Sequence, residues 1–200
     1  MTSVQAAVRA LDRGEVVAFP TETVLGVGAD AHSGAALERL VRAKGRPDGK
    51  PFTVHLGPSV DPASWAVLDA RARALAATFW PGPLTLILPL ARQAHPLLVA
   101  GGATVGVRVP AHPVAIALLD AFGRGVAASS ANRNGEPVAT RSDQIAAALG
   151  PAVAHIVPGE PAPGSRGSTI VSLVGSPEVL RVGDLPVDAL FDLIPELAPR

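Results

Sequence analysis

Short apolar runs alternate with segments of helical period along the whole chain, and that alternation restricts it to an α/β fold with a largely buried sheet. Residues 3–13 predict a helix, with Val4, Ala7, Val8 and Leu11 on one side, Ser3 as cap and Gly14 as stop. A strand over 16–19 ends at Pro20, and a loop holding Gly26 and Gly28 follows. Ser33 caps a second helix that turns Leu37, Leu40 and Val41 inward and stops at Gly45. Strands are expected over 52–56, 84–88, 104–109, 125–129, 155–157, 169–173 and 179–182. Helices are expected over 68–78, from Pro113 to about residue 121, over 142–149, and as a short C-terminal piece. The Pro- and Gly-rich stretch 158–167 reads as a linker or a loop; the 33 residues after it are too few for a core of their own.

With 200 residues, 48% of them hydrophobic and 17% charged, the chain has material for one core and too little charge for disorder. Aromatics reach only 4%, so that core is aliphatic. The formal net charge is zero, which argues against binding a polyanion by general phosphate neutralisation and leaves room only for a local basic cluster. No cysteine is present, which excludes thiol catalysis, thiolate zinc sites and disulfides. No signal-like start and no apolar run of membrane-span length appears, so a soluble cytoplasmic protein without membrane contact is expected.

Familiar chemical motifs are absent. The text GRPDGKP from Gly45 is too short between glycines for a Walker loop and has Pro51 in place of the magnesium-holding hydroxyl. The run GVGADA lacks a third dinucleotide-binding glycine, and neither a nucleophile elbow nor an H-E-x-x-H helix occurs. The five histidines are scattered, so no protein metal site is expected.

What remains is a set of polar groups at strand ends, where α/β sheets bind ligands. Thr21 and Thr23, in PTETVLG, share a side if the chain stays extended; a polar turn is the other reading. The only two lysines, Lys44 and Lys50, flank Arg46 after the second helix, and three cations so close call for an anion or for solvent. His55 shares a strand face with Thr53; alone it is either a structural histidine or a ligand contact. Thr104, Gly106 and Arg108 share another face, where Gly106 leaves space and Arg108 offers a two-pronged carboxylate clamp, unless the strand is an exposed edge. SSAN at 129–132 and Ser168 with Thr169 supply small hydrogen-bonding groups, for ligand or for turn.

Together these segments resemble the YrdC-type threonylcarbamoyl-AMP synthases of tRNA modification. The likeness is an ordered series over about residues 4–183: PTETVLG, KGRP with KPFTVH, WPGPLT, VGVRVP, SSANRNG, PG, STIV and LRVG. It implies one domain over 1–200, a twisted mixed sheet with helices around it and a concave, locally positive cleft, followed by a tail over 184–200. It implies a nucleotidyltransferase that turns L-threonine, bicarbonate and ATP with Mg2+ into threonylcarbamoyl-AMP and pyrophosphate. The product would pass to a tRNA threonylcarbamoyl transferase complex, with at most weak tRNA binding by the chain itself. The family's charged-polar tetrad falls on Lys44, Arg46, Ser130 and Asn132. The resemblance assigns Arg46, Lys50, Thr104, Ser130 and Arg181 to ATP. It assigns Thr23, His55, Arg108 and Ser168, with the backbone near Ala128, to threonine. Three positions depart from the pattern: Leu25 in place of an aromatic residue, Ser172 in place of Asp, and Val182 in place of Pro. The longer family members carry a second domain, for which this chain is too short. Two rival readings remain: an RNA-binding module that uses the basic cleft without catalysis, and a carbamoyl-adenylating enzyme like the related domain of hydrogenase-maturation proteins.

Overall fold

The computed structural model describes residues 2–45 and 50–197. Nine strands form one mixed sheet with helices against it. In chain order these are β1 (Val17–Pro20), β2 (Leu25–Asp30), β3 (Thr53–His55), β4 (Leu84–Pro89), β5 (Thr104–Arg108), β6 (Val126–Ser130), β7 (His155–Ile156), β8 (Thr169–Ser172) and β9 (Glu178–Arg181). Their order across the sheet is β7-β1-β2-β6-β3-β5-β4-β8-β9. The α-helices are α1 (Ser3–Asp12), α2 (Gly34–Lys44), α3 (Ala70–Phe79), α4 (Pro96–Val99), α5 (Pro113–Phe122) and α6 (Ser142–Leu149).

Most boundaries follow the sequence reading, with instructive exceptions. Thr2, not Ser3, caps α1, in a reciprocal pair with Gln5. The expected loop at Gly26 and Gly28 is instead β2, a fully buried strand hairpinned to β1. Its glycines are there for close packing: a Cβ on Gly28 would lie 2.7 Å from Val126 Cγ1 and 2.8 Å from the Ala127 carbonyl. After β9 the expected short C-terminal helix takes the form of two 3-10 turns, Asp188–Leu190 and Pro195–Leu197, and Leu190 and Ile194 are buried.

The two faces of the sheet are covered unequally. Val54, Val107, Leu86 and Ala127 face the main core, which α2 and α3 close with Leu37, Leu40 and Leu75. On the other face a smaller cluster sets α1 and α5 over Val17, Phe19, Val126 and Ala128. The helices cover only part of that face, and the rest stays open. Among the described residues no helix is long and apolar enough to cross a membrane.

The segment between β7 and β8 is neither a linker nor detached. β8 and β9 join the same sheet at the flank opposite β7. On the way, the Ser142 hydroxyl donates to the Gly159 carbonyl and the Ala162 N–H donates to the Glu22 carbonyl.

Candidate functional site

On the open face the sheet dips into a cavity of about 300 Å³. Strand register builds its floor. Gly26 pairs with Ser130, Thr53 with Ala128, and His55 with Arg108, so these residues point to one side of four neighbouring strands. Ser168 and Arg181 close the far wall. The described lining holds Arg108, Arg166 and Arg181 and no carboxylate.

Arg108 is the most constrained group. Its side chain is 4% exposed, because β5 lies deep in the sheet rather than at an edge. Nη2 donates to Glu22 Oε1 at 2.7 Å and Nε donates to the Gly82 carbonyl at 3.2 Å. Of the five guanidinium N–H groups, these two bonds leave three for a ligand. Burial lowers the Arg108 pKa from its ordinary value, and Glu22 works against that shift. Gly106, expected to leave ligand space, instead makes room for side chains: a Cβ there would sit 3.2 Å from Ile87 Cδ1 and 3.4 Å from Thr53 Oγ1.

His55 is buried, and its Nδ1 has no hydrogen-bond partner within the protein. Burial first, and the neighbouring Arg108 charge second, push its pKa down to about 3, so the imidazole is neutral near pH 7. Phe19 packs edge-on at 6.1 Å between ring centroids.

Ser168 is buried at the start of β8. Its hydroxyl lies 2.8 Å from Thr85 Oγ1 and accepts from Arg181 Nη2 at 3.0 Å, while Arg181 Nε donates to the Ser168 carbonyl at 3.0 Å. Thr21 is tied into its own turn, its hydroxyl donating to the Val24 carbonyl at 2.6 Å. The chain bends there, yet the Thr21 and Thr23 hydroxyls still meet at 3.0 Å. Thr23 lines a second cavity of about 320 Å³ beneath residues 160–165; Val24 and Val138 stand between the two.

Lys44, Ser130 and Asn132 form a separate knot. Lys44 is 3% exposed. Its Nζ donates to the carbonyls of Ser130 and Asn132 and, at 3.1 Å, to Asn132 Oδ1. Ser130 Oγ donates to the same Oδ1 at 2.6 Å, and Asn132 Nδ2 donates to the carbonyls of Arg133 and Glu136. Part of the charge of Lys44 thus meets carbonyl dipoles of the chain itself, partners that its sequence neighbourhood did not suggest. Lys50 is exposed and donates to Asn134 Oδ1 at 3.1 Å. Arg46 lies outside the described residues. Thr104, at the opposite end of β5 from Arg108, does not line the cavity.

Three site residues carry no signal in the sequence reading. Glu22 sits inside PTETVLG but only its threonines alternate visibly. Thr85 reads as strand interior, yet it holds Ser168. Arg166 is placed by Asp184, which accepts from the Arg166 N–H at 2.8 Å and from the Ser165 hydroxyl.

The profile of the Sua5/YciO/YrdC family, described as telomere recombination, matches residues 9–183. A Bacillus subtilis protein named threonylcarbamoyl-AMP synthase is 39% identical over 196 residues, spanning 92% of this chain and 54% of that protein. The structure of Pyrococcus abyssi Sua5 complexed with L-threonine superposes with a TM-score of 0.89 at 36% identity, covering 96% of this chain and 57% of the other. Escherichia coli YciO superposes with a TM-score of 0.81 at 26% identity, covering 94% and 92%. The chain therefore spans about half the length of the Bacillus and Pyrococcus proteins it matches.

Proposed function

Because the chain belongs to the Sua5/YciO/YrdC family, we propose that it converts L-threonine, bicarbonate and ATP into threonylcarbamoyl-AMP and pyrophosphate. The observation that carries this reading is Arg108: a buried guanidinium with three N–H groups left, on the floor of a cavity sized for a small molecule. A carboxylate there gains two parallel charge-assisted bonds in a setting that water screens poorly. A neutral His55 beside it adds a contact without repelling the ligand's positive end. Ser168 would complete the threonine pocket on one side and the backbone at Ala128 would form its floor, while Thr23, in the adjoining cavity, would join it through Thr21, whose hydroxyl meets its own at 3.0 Å.

The nucleotide would lie toward Ser130, Arg181 and Lys50, with Arg46 joining from the neighbouring loop. Thr104 is four residues from Arg108, roughly 13 Å along the strand, a distance that a nucleotide spans and an amino acid does not. In the reaction the threonine amine and bicarbonate give an N-carboxylate and water. A carboxylate oxygen then attacks the α-phosphorus, one P–O bond forms, the bond to the β-phosphate oxygen breaks, and pyrophosphate leaves. Arg108 fixes the plane of threonine's carboxylate and with it the direction of the amine, so orientation supplies much of the acceleration. Arg181 and Lys50 offset charge on the phosphates. Magnesium would arrive on the nucleotide, since among the described residues no group of three or more metal-binding side chains exists.

The product would serve a transferase that modifies tRNA, a role consistent with a cytoplasmic location. A polynucleotide fits the site less well, since the net charge is zero and the described lining encloses a small cavity. The test is ATP turnover with each substrate omitted in turn. Pyrophosphate release that needs both threonine and bicarbonate is expected; release of inorganic phosphate would overturn the reading.

A further inference from the structure

Among the described residues, two buried side-chain atoms lack a hydrogen-bond partner within the protein: Glu22 Oε2 and His55 Nδ1. Buried polar atoms are almost always partnered, so each such exception calls for an explanation. Both exceptions flank the same group. Glu22 holds Arg108 through its other oxygen at 2.7 Å, and His55 faces Arg108 across the β3–β5 pair. A carboxylate oxygen only accepts, and a neutral imidazole nitrogen accepts in one tautomer. What this corner lacks is a donor.

An α-amino acid supplies one at the right place. Its ammonium stands two bonds from its carboxylate, so a ligand carboxylate on the remaining N–H groups of Arg108 brings three N–H donors toward Glu22, which stands behind Arg108 just outside the cavity lining. Resting on the reading that threonine occupies this cavity, we propose that Glu22 recognises the ligand's ammonium group and so selects α-amino acids over acids that lack one. Its first oxygen keeps Arg108 in plane, and its second receives the ammonium. Glu22 is also anchored from behind, since its carbonyl accepts the Ala162 N–H and its neighbours Thr21 and Val24 line the cavity.

The experiment compares two probes, L-threonine and 3-hydroxybutyrate, which is threonine without its amine. Each is titrated calorimetrically into the full chain, into Glu22→Gln and into Glu22→Asp, with thermal melts to confirm folding. Wild type should favour threonine. Glu22→Gln keeps an oxygen for Arg108 but loses the charge. It should weaken threonine by about 10-fold or more while moving 3-hydroxybutyrate by less than ~3-fold. Glu22→Asp keeps the charge at shorter reach and should retain part of the preference. Should Glu22→Gln fail to fold, Glu22→Asp decides alone, and a preference equal to wild type's rejects the proposal. Equal losses for both probes would overturn it, because Glu22 would then only align Arg108. Tighter binding of both would also overturn it, making Glu22 a stand-in that the incoming carboxylate expels. If wild type binds 3-hydroxybutyrate as well as threonine, the proposal falls while the carboxylate site stands; if it binds neither, the threonine reading falls and takes the proposal with it.

Discussion

The two ends of the open face use their polar groups in opposite ways. At the Lys44 end, the ammonium donates to acceptors on Ser130 and Asn132, and the Asn132 amide is bonded on both its atoms. At the Arg108 end, three N–H groups remain after the protein's own bonds, and two neighbouring acceptors have no partner. The first arrangement fixes backbone, because a lysine buried among carbonyls can be neither moved nor shortened without orphaning them. The second arrangement is complete only when something else is bound. In these bonds, candidate residues that look alike in the sequence thus differ: one end ties down backbone and the other keeps groups for a ligand.

Replacing Lys44 by methionine should have the largest effect and fall on stability. It strands buried acceptors on Ser130 and Asn132, each costing about 1–3 kcal/mol, so a loss above ~3 kcal/mol is expected in urea denaturation. A variant with wild-type stability that fails with ATP would break the division and return Lys44 to the chemistry. Arg108→Lys should do the reverse. Charge is kept but the carboxylate's plane is not, so kcat/KM for threonine should fall by ~100-fold, about 2.7 kcal/mol, with a smaller shift in the urea midpoint. Near-normal kinetics in the folded variant would remove Arg108 from the recognition surface.

The smallest effect concerns His55 and sharpens the division through pH. Its folded-state pKa is depressed to about 3 while the unfolded chain titrates near the ordinary value of 6.5. Between those values the unfolded state binds the extra proton, so stability is full above pH 6.5 and falls as pH drops toward 3. From pH 7 to pH 5 this amounts to about 2 kcal/mol. His55→Gln should lose that slope while other groups keep theirs. An unchanged slope in paired denaturation curves would mean that His55 is solvated and not part of a dry pocket.

Element type was largely legible because burial imposes period. The helix at 34–44 shows its cap, its apolar stripe and its stop in the sequence alone. β2 was not legible, since glycine in a strand and glycine in a loop look alike until the neighbour that forbids a Cβ, here Val126, is known. α4 spans four residues, too few for a period to appear. At the site, His55 and Arg108 were found as separate strand residues, and only the register that sets them face to face makes them one feature. Glu22 and Thr85 stayed hidden because their importance comes from partners 86 and 83 residues away. Lys44 was visible as a candidate, but its bonds to the Ser130 and Asn132 carbonyls were not, because a basic residue near other basic residues gives no sign of them.

The connection from β7 to β8 works as a strap of fixed reach. Six strands lie between its ends, hence seven interstrand gaps; at ~4.8 Å each, a flat sheet would measure about 34 Å across. The chain from Ile156 to Thr169 has thirteen steps, or roughly 43–47 Å when fully drawn out. Little slack is left once the path also passes Glu22 and Pro20. Lengthening such a connection is cheap, since even doubling a flexible loop adds only ~0.6 kcal/mol. Shortening it by more than a few residues would pull the two flanks of the sheet toward each other across the cavity mouth. The strap's minimum length is therefore set by the width of the sheet, whatever its sequence.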